Sequence, residues 1–111
     1  MFFNSTGCKN IGPQDLHERM RARADFFLLD VRTPQEHYSQ AIENSYLLPL
    51  NELGDRVNEL PRDREIVVYC RVGNRSAHAC AYLSQLGFKV KNLEGGIMLW
   101  NMAGNASLAL A

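Results

Sequence analysis

The sequence predicts an α/β fold in which short, largely parallel strands alternate with helices that cover both faces of one sheet. Two segments, Phe26–Val31 and Glu65–Cys70, are continuously apolar over most of their length, as in strands buried on both faces. Segments with helical signals separate these strands. With 111 residues, of which 46% are hydrophobic, the chain can fill one core, so we predict a single domain over 1–111.

The N-terminal half carries local signals for three helices and two strands. A glycine–proline pair and an acidic turn begin the first helix, in which Leu16 and Met20 share one buried face. The apolar segment that follows places Asp30 at the carboxyl edge of a strand. The predicted elements are a helix from Pro13 to about Arg23, a strand at Phe26–Val31, a helix at Pro34–Ser39, a strand at Tyr46–Leu48, and a helix through Leu60 that Asn51 caps.

The C-terminal half continues the alternation, with Cys70 at the end of a buried strand and Gly87 as the stop of the next helix. Small residues recur along that helix at spacings of three and four, which predicts close packing on the sheet. These residues are Ala77, Cys80, Ala81 and Ser84. The predicted elements are a strand at Glu65–Cys70, a helix at Arg75–Leu86, a strand at Lys89–Leu93, a short helix at Gly96–Met102, and a weak tail at Asn105–Ala111.

Charge and cysteine content narrow the class of protein. Twelve basic residues balance twelve acidic ones, which argues against nucleic-acid or membrane partners. The cysteines, Cys8, Cys70 and Cys80, lack C-x-x-C spacing, so we expect neither a disulfide framework nor a zinc site. This expectation fits a protein in a reducing compartment. The segment Met1–Gly7 lacks the features of a signal peptide, and no segment is long enough to span a membrane. We therefore expect a cytoplasmic protein. Because the chain forms a single short domain, we also expect a monomer.

The segment Cys70–Ser76, between a buried strand and a helix start, carries the strongest chemical signal. A loop that curls around Cys70 directs backbone N–H groups at the sulfur, and Gly73 permits the tight backbone this requires. Two nearby arginines lower a thiol pKa below its usual value of about 8.5 and suit oxyanions. We predict that Cys70 is a nucleophile for a small anionic substrate. The predicted binding residues are Arg71, Val72, Gly73, Asn74 and Arg75.

This segment resembles the active-site loop of rhodanese-homology domains, in which a cysteine opens a six-residue loop, here Cys70 to Arg75. Two further segments are similar to the family's first and last signatures. They are Leu29-Asp30-Val31-Arg32-Thr33-Pro34-Gln35-Glu36, and Leu93-Glu94-Gly95-Gly96 with Trp100 and Gly104. The resemblance implies a rhodanese-like fold with a five-stranded parallel sheet flanked by helices on both faces. It places the domain core at about 11–104, between a short N-terminal segment and a C-terminal tail.

The chain departs from the family after Glu36. The family often has a Gly-His-Ile-Pro-Gly-Ala-like stretch there, whereas this chain has Gln40-Ala41-Ile42-Glu43-Asn44-Ser45, in which only Ile42 matches. No histidine is carried over at this place. The departure concerns the local loop geometry and an accessory contact rather than the cysteine loop.

The resemblance implies sulfur transfer through a persulfide on Cys70. The thiolate takes the outer sulfur of a donor, for which thiosulfate is favoured over mercaptopyruvate, and a thiol, a protein or cyanide accepts it. No metal or organic cofactor is required. Asp30, Arg32 and Ser76 are expected to support the loop. Arg75 either binds the donor or pairs with a carboxylate.

Two other functions stay open. A phosphatase or arsenate reductase also uses a thiolate in an anion cradle, but related phosphatases have one more residue between cysteine and arginine than Cys70-x4-Arg75, and commonly a histidine where this chain has Tyr69. A non-enzymatic module for regulation or sulfur relay is the third hypothesis. We predict surface roles for His37 and His78, and core packing for Cys80, Phe88 and Trp100.

Overall fold

A computed structural model gives the backbone of residues 8–110 and the side chains of residues 8–104. The strands are β1 Asn10–Ile11, β2 Phe27–Asp30, β3 Tyr46–Leu47, β4 Ile66–Tyr69 and β5 Val90–Leu93; the helices are α1 Pro13–Arg21, α2 Pro34–Ser39, α3 Leu53–Arg56, α4 Asn74–Gln85 and α5 Gly96–Leu110. All neighbouring strands pair in parallel, in the order β1-β5-β4-β2-β3. The predicted five-stranded parallel sheet is therefore confirmed.

Two apolar clusters lie on opposite faces of the sheet, because successive side chains of a strand point to opposite sides. Leu29 and Val68 join the cluster under α3 and α4, and Leu28 and Val67 join the cluster under α1 and α5. The covering of both faces by helices is thus confirmed. Since β2 and β4 are paired with Asp30 opposite Tyr69, both strands end at the same edge of the sheet, beside Cys70.

Several elements begin or end one or two residues from the predicted positions, and three larger features differ from the sequence prediction. Asn51 caps no helix: it lies inside a 3-10 turn, Leu50–Glu52, and the predicted long helix is divided into this turn, α3 and a second 3-10 turn at Val57–Glu59. Glycine, asparagine and aspartate are frequent there and favour continuous helix weakly. The last helix is longer than predicted and continues through Gly104 into the predicted tail as far as Leu110. The short strand β1 was not predicted, because two residues carry no periodic signal.

The buried face of α4 is also shifted from the predicted one. Ala77 and Cys80 are buried, but Ala81 is half-buried and Ser84 is exposed. Leu83 instead completes the buried face, together with Ser76 and Ala79. The helix still packs small side chains on the sheet, as predicted. Phe88 is buried and Trp100 packs against the opposite cluster, so the prediction of core packing is confirmed for both.

The expectation that the cysteines form no disulfide is wrong for Cys8 and Cys80. Their Cα atoms lie 5.9 Å apart, a usual spacing for a disulfide, and the two residues are paired across 72 positions of sequence. The bond joins the segment before β1 to α4. The sheet order brings these segments together, which spacing along the sequence does not reveal.

Two further predictions concern targeting and membranes. The prediction about the segment Met1–Gly7 lies outside the described residues. Among the described helices, none combines the length and the apolar character that crossing a membrane requires.

Candidate active site

The segment between β4 and α4 forms a cradle around the sulfur of Cys70. The N–H of Gly73 donates to Cys70 Sγ at 3.1 Å, and Ser76 donates from its N–H at 3.4 Å and its hydroxyl at 3.3 Å. Gly73 has φ of +109°, which glycine adopts readily. Cys70 is only 1% exposed, so its sulfur lies at the bottom of the cradle. The structure thus brings together Cys70, Gly73 and Ser76 as the sequence predicts.

Two opposing effects act on the Cys70 thiol. Burial is the largest single effect, and it raises the pKa of Cys70 because the charged form loses hydration. The hydroxyl of Ser76 and the N–H groups of Ser76, Gly73 and Val72 together outweigh burial, so the pKa of Cys70 is lowered from its usual value. The start of α4 adds the positive end of a helix dipole. The site therefore favours a thiolate over a thiol.

The cradle is held from below by the start of α5. The N–H of Ile97 donates to the carbonyl of Cys70 at 3.0 Å, and the N–H of Met98 donates to the carbonyl of Arg71 at 3.1 Å. These contacts need Gly96, because a Cβ atom there would lie 2.4 Å from the Arg71 oxygen. In the sequence, Gly96 stands out only as the start of the last predicted helix and as part of a family signature. Its pairing with the cradle depends on contact between segments far apart in the chain.

The two predicted arginines have different surroundings. Arg75 makes a bidentate pair with Glu36, at 2.7 and 2.8 Å, so it pairs with a carboxylate rather than pointing freely into the site. Glu36 also completes a capping box with Thr33 at the start of α2, and Arg75 holds the pKa of Glu36 down to about 2. Arg71 is exposed and forms no ion pair within residues 8–104. Val72, half exposed, and Asn74 complete the rim of the cradle.

A buried hydrogen-bond network centres on Asp30, whose side chain is fully shielded from solvent. Arg32 donates to its carboxylate from Nε at 3.0 Å and from Nη2 at 2.8 Å, so the two residues form a buried ion pair. His37 Nδ1 lies 2.9 Å from the same carboxylate. Burial raises the pKa of Asp30, but the hydrogen bonds of Arg32 and His37 outweigh burial and the pKa is lowered.

His37 is half-buried and contacts Asp30, so its predicted surface role is only partly right, whereas His78 is exposed as predicted. Nothing around His37 in the sequence indicates its contact, because α2 buries no residue of its own. The contact arises where α2 crosses the end of β2. His37 is thus a member of the Asp30 network that the sequence does not reveal.

The segment that departs from the family pattern, Gln40 to Ser45, also packs on this network. The hydroxyl of the buried Tyr69 donates to Asp30 at 3.0 Å and accepts from the N–H of Ile42 at 3.1 Å. Ser45 Oγ lies 3.0 Å from the same hydroxyl. The carbonyl of Gln40 accepts from Arg32 at 2.6 Å. Two of these contacts use backbone atoms, so the segment holds its place despite its different side chains.

No metal centre is apparent in the described part of the chain, where no group of three or more histidine, cysteine, aspartate or glutamate side chains is arranged to hold an ion. The candidate site therefore consists of the thiol, its N–H and hydroxyl donors, and the nearby arginines.

Comparison with known proteins gives concordant matches. A family model described as a rhodanese-like domain matches residues 12–103. A sulfurtransferase of Allochromatium vinosum is 42% identical over 95 residues, which cover 85% of this chain and 89% of the relative. The thiosulfate sulfurtransferase GlpE of Pseudomonas syringae is 40% identical over 74 residues, covering 66% of this chain and 70% of that protein. The crystal structure of a rhodanese-related protein from Thermoplasma volcanium superposes with a TM-score of 0.79 at 41% identity, covering 86% of this chain and 92% of that one.

Proposed function

Because this chain belongs to the family of rhodanese-like domains, we propose that it is a sulfurtransferase that carries sulfur as a persulfide on Cys70, with thiosulfate as a donor. The observation that carries the proposal is the set of donors around the sulfur. Gly73 and Ser76 direct three donor groups at Cys70 Sγ, which suits a negative charge on sulfur before and after the transfer. The names of the relatives in Allochromatium vinosum and Pseudomonas syringae support the same class of reaction.

In the first proposed step, the Cys70 thiolate attacks the outer sulfur of thiosulfate. A new sulfur–sulfur bond forms to Cys70, the sulfur–sulfur bond of thiosulfate breaks, and its electron pair leaves with sulfite. The transferred sulfur then carries one negative charge, which the cradle N–H groups stabilise. The lowered pKa of Cys70 supports this step, because the thiolate is the attacking form.

In the second proposed step, cyanide, a small thiolate or a protein thiolate attacks the outer sulfur of the persulfide. The bond between the two sulfurs breaks, and its electron pair returns to Cys70 as a thiolate. Both steps are displacements at sulfur in which electrons balance without a cofactor. We further propose that the enzyme acts as a monomer, without nucleic-acid or membrane partners. The Cys8–Cys80 disulfide removes the reason for expecting a reducing, cytoplasmic location.

The anionic end of the donor is best served by Arg71. This side chain is exposed in the loop, whereas Glu36 already accepts hydrogen bonds from both terminal nitrogens of Arg75, Nη1 and Nη2. We propose that Arg71 binds the sulfonate oxygens and that Arg75 supports the loop through its ion pair. Gly73 contributes its N–H to the sulfur. Of the five predicted binding residues, the proposal therefore keeps Arg71, Val72, Gly73 and Asn74 for the donor and gives Arg75 a supporting role.

The proposal is tested by incubating the purified protein with thiosulfate and then adding cyanide. We expect the peptide that contains Cys70 to gain the mass of one sulfur before cyanide is added, and thiocyanate to form afterwards. Hydrolysis of an aryl phosphate without thiocyanate would instead identify a phosphatase. Inactivity in both assays would overturn the enzymatic proposal in favour of a regulatory or relay module.

Replacing Ser76 by alanine is expected to move the acid limb of the rate–pH profile to higher pH. We expect the wild-type limb at lower pH than for an ordinary thiol, because the cradle lowers the pKa of Cys70. Loss of the Ser76 hydroxyl bond raises that pKa again, and we expect the limb to move by about one pH unit. The measurement is kcat/KM for thiosulfate across pH. Ser84→Ala, at an exposed position on the same helix, is the control and keeps the wild-type profile. An unmoved limb in Ser76→Ala contradicts the assignment.

A further inference from the structure

Asn92 lies on β5 beneath the active-site loop and is buried, with 3% of its surface exposed. Its side-chain Nδ2 donates to the carbonyl of Gly73 at 3.3 Å and to Asn10 Oδ1 at 3.5 Å. Its Oδ1 is buried and has no hydrogen-bond partner among the described residues. One side chain therefore combines a contact with the loop and an unsatisfied buried acceptor.

The unsatisfied oxygen disfavours the folded state, and an apolar side chain of similar shape would avoid this penalty. The opposite orientation of the amide would turn Oδ1 towards the carbonyl oxygen of Gly73, where two acceptors repel each other. The orientation is therefore set by Gly73. An unsatisfied polar atom beside an active-site loop costs folding free energy. Such a group is typically kept for a functional reason rather than for stability.

We propose that Asn92 is a positioning residue of the cradle, whose amide holds the carbonyl of Gly73 and thereby aims the Gly73 N–H at Cys70 Sγ. Gly73 has no side chain to limit rotation about its backbone bonds, so a hydrogen bond to its carbonyl restricts the residue whose N–H approaches the sulfur at 3.1 Å. The inference deepens the proposed sulfur transfer and rests on it for its role in catalysis.

Two features isolate this contact from other effects. The Gly73 carbonyl also accepts from the N–H of Ala77 at 3.1 Å, so removing the Asn92 amide leaves that carbonyl with a partner. In the described part of the chain, Arg75 on α4 interacts electrostatically with Cys70, with its partner Glu36 on α2 and with Asp30, and the exposed Arg71 lies in the loop itself. A substitution at Asn92 alters none of these charges. A change in the titration of Cys70 then reports a change in the direction of its donors.

The test measures the rate at which iodoacetamide alkylates Cys70 as a function of pH, with peptide mapping to identify the site, in wild type and in Asn92→Leu. We expect the midpoint to move to higher pH and the rate below the midpoint to fall about fivefold, the factor that one hydrogen bond of ordinary strength represents. We expect the melting temperature to stay constant or rise, because the unsatisfied acceptor is removed. Asn92→Ala, which needs no new space, should show the same change in midpoint.

A merely structural role predicts the opposite pair of results, namely a lower melting temperature with an unmoved alkylation midpoint, and this would overturn the proposal. Asn10→Ala is the matched control, because it removes the longer contact of the same amide and leaves Gly73 bound. An equal shift in Asn10→Ala would also overturn the assignment to the Gly73 contact. Alkylation needs no sulfur donor, so a wild type that forms no thiocyanate would refute the proposed function while this experiment still decides the role of Asn92.

Discussion

Replacing Cys70 by serine is expected to abolish sulfur transfer, with the rate of thiocyanate formation falling at least about a thousandfold. A serine hydroxyl is not ionised near neutral pH, even when Gly73 and Ser76 donate to it, and an oxygen at this position does not form a persulfide. The substitution replaces sulfur by a smaller atom in a buried position, so the fold should be retained. The measurement is the thiosulfate–cyanide assay, with mass spectrometry of the peptide that contains residue 70.

The matched control for this substitution is the double variant Cys8→Ser and Cys80→Ser. It removes the other two cysteines together and leaves the cradle untouched, so activity at low temperature should equal that of the wild type. Loss of the disulfide should lower the free energy of unfolding by about 2–4 kcal/mol. Full activity in Cys70→Ser, or loss of activity in the double variant at a temperature where it is folded, would contradict the role given to Cys70.

The parts of the fold that the sequence predicts are those with strong local signals. The segments that form β2 and β4 are recognisable because both faces of each strand are buried, which makes their residues continuously apolar. The cradle is predicted for a similar reason: Cys70, Gly73 and Ser76 lie within seven consecutive residues, and their contacts form within that segment. Local chemistry and local geometry therefore suffice there.

The features that the sequence does not predict are contacts between distant segments. Cys8 meets Cys80 only because β1 pairs with β5 at the edge of the sheet beside α4. His37 meets Asp30 only because a short helix crosses the end of β2. For Arg75, the sequence leaves two roles open, and the choice depends on Glu36, 39 residues earlier in the chain. None of these pairs has a spacing that a periodic pattern would reveal.

Replacing Gly96 by alanine is expected to displace the cradle and to lower kcat/KM for thiosulfate by about a hundredfold or more, since a misplacement of about 1 Å has that effect on an organised site. Gly96 has φ of +60°, and a Cβ atom there would lie 2.4 Å from the Arg71 oxygen and 2.5 Å from the Cys70 oxygen. Both are backbone atoms of the active-site loop. The same two carbonyl oxygens accept hydrogen bonds from the N–H groups of Met98 and Ile97. The new methyl group therefore disrupts the hydrogen bonds by which α5 holds the loop.

The same clash should lower the free energy of unfolding by about 2–4 kcal/mol. The new methyl group meets backbone atoms of the loop, so no side-chain rotation relieves the clash. Activity is therefore measured at a temperature where circular dichroism shows the variant folded. Gly54→Ala is the matched control: its Cβ would meet only Tyr82 Oη, at 3.8 Å, and a helical glycine replaced by alanine gains about 0.5–1 kcal/mol. A folded Gly96→Ala protein with wild-type turnover would show that the contact between α5 and the loop does not position Cys70.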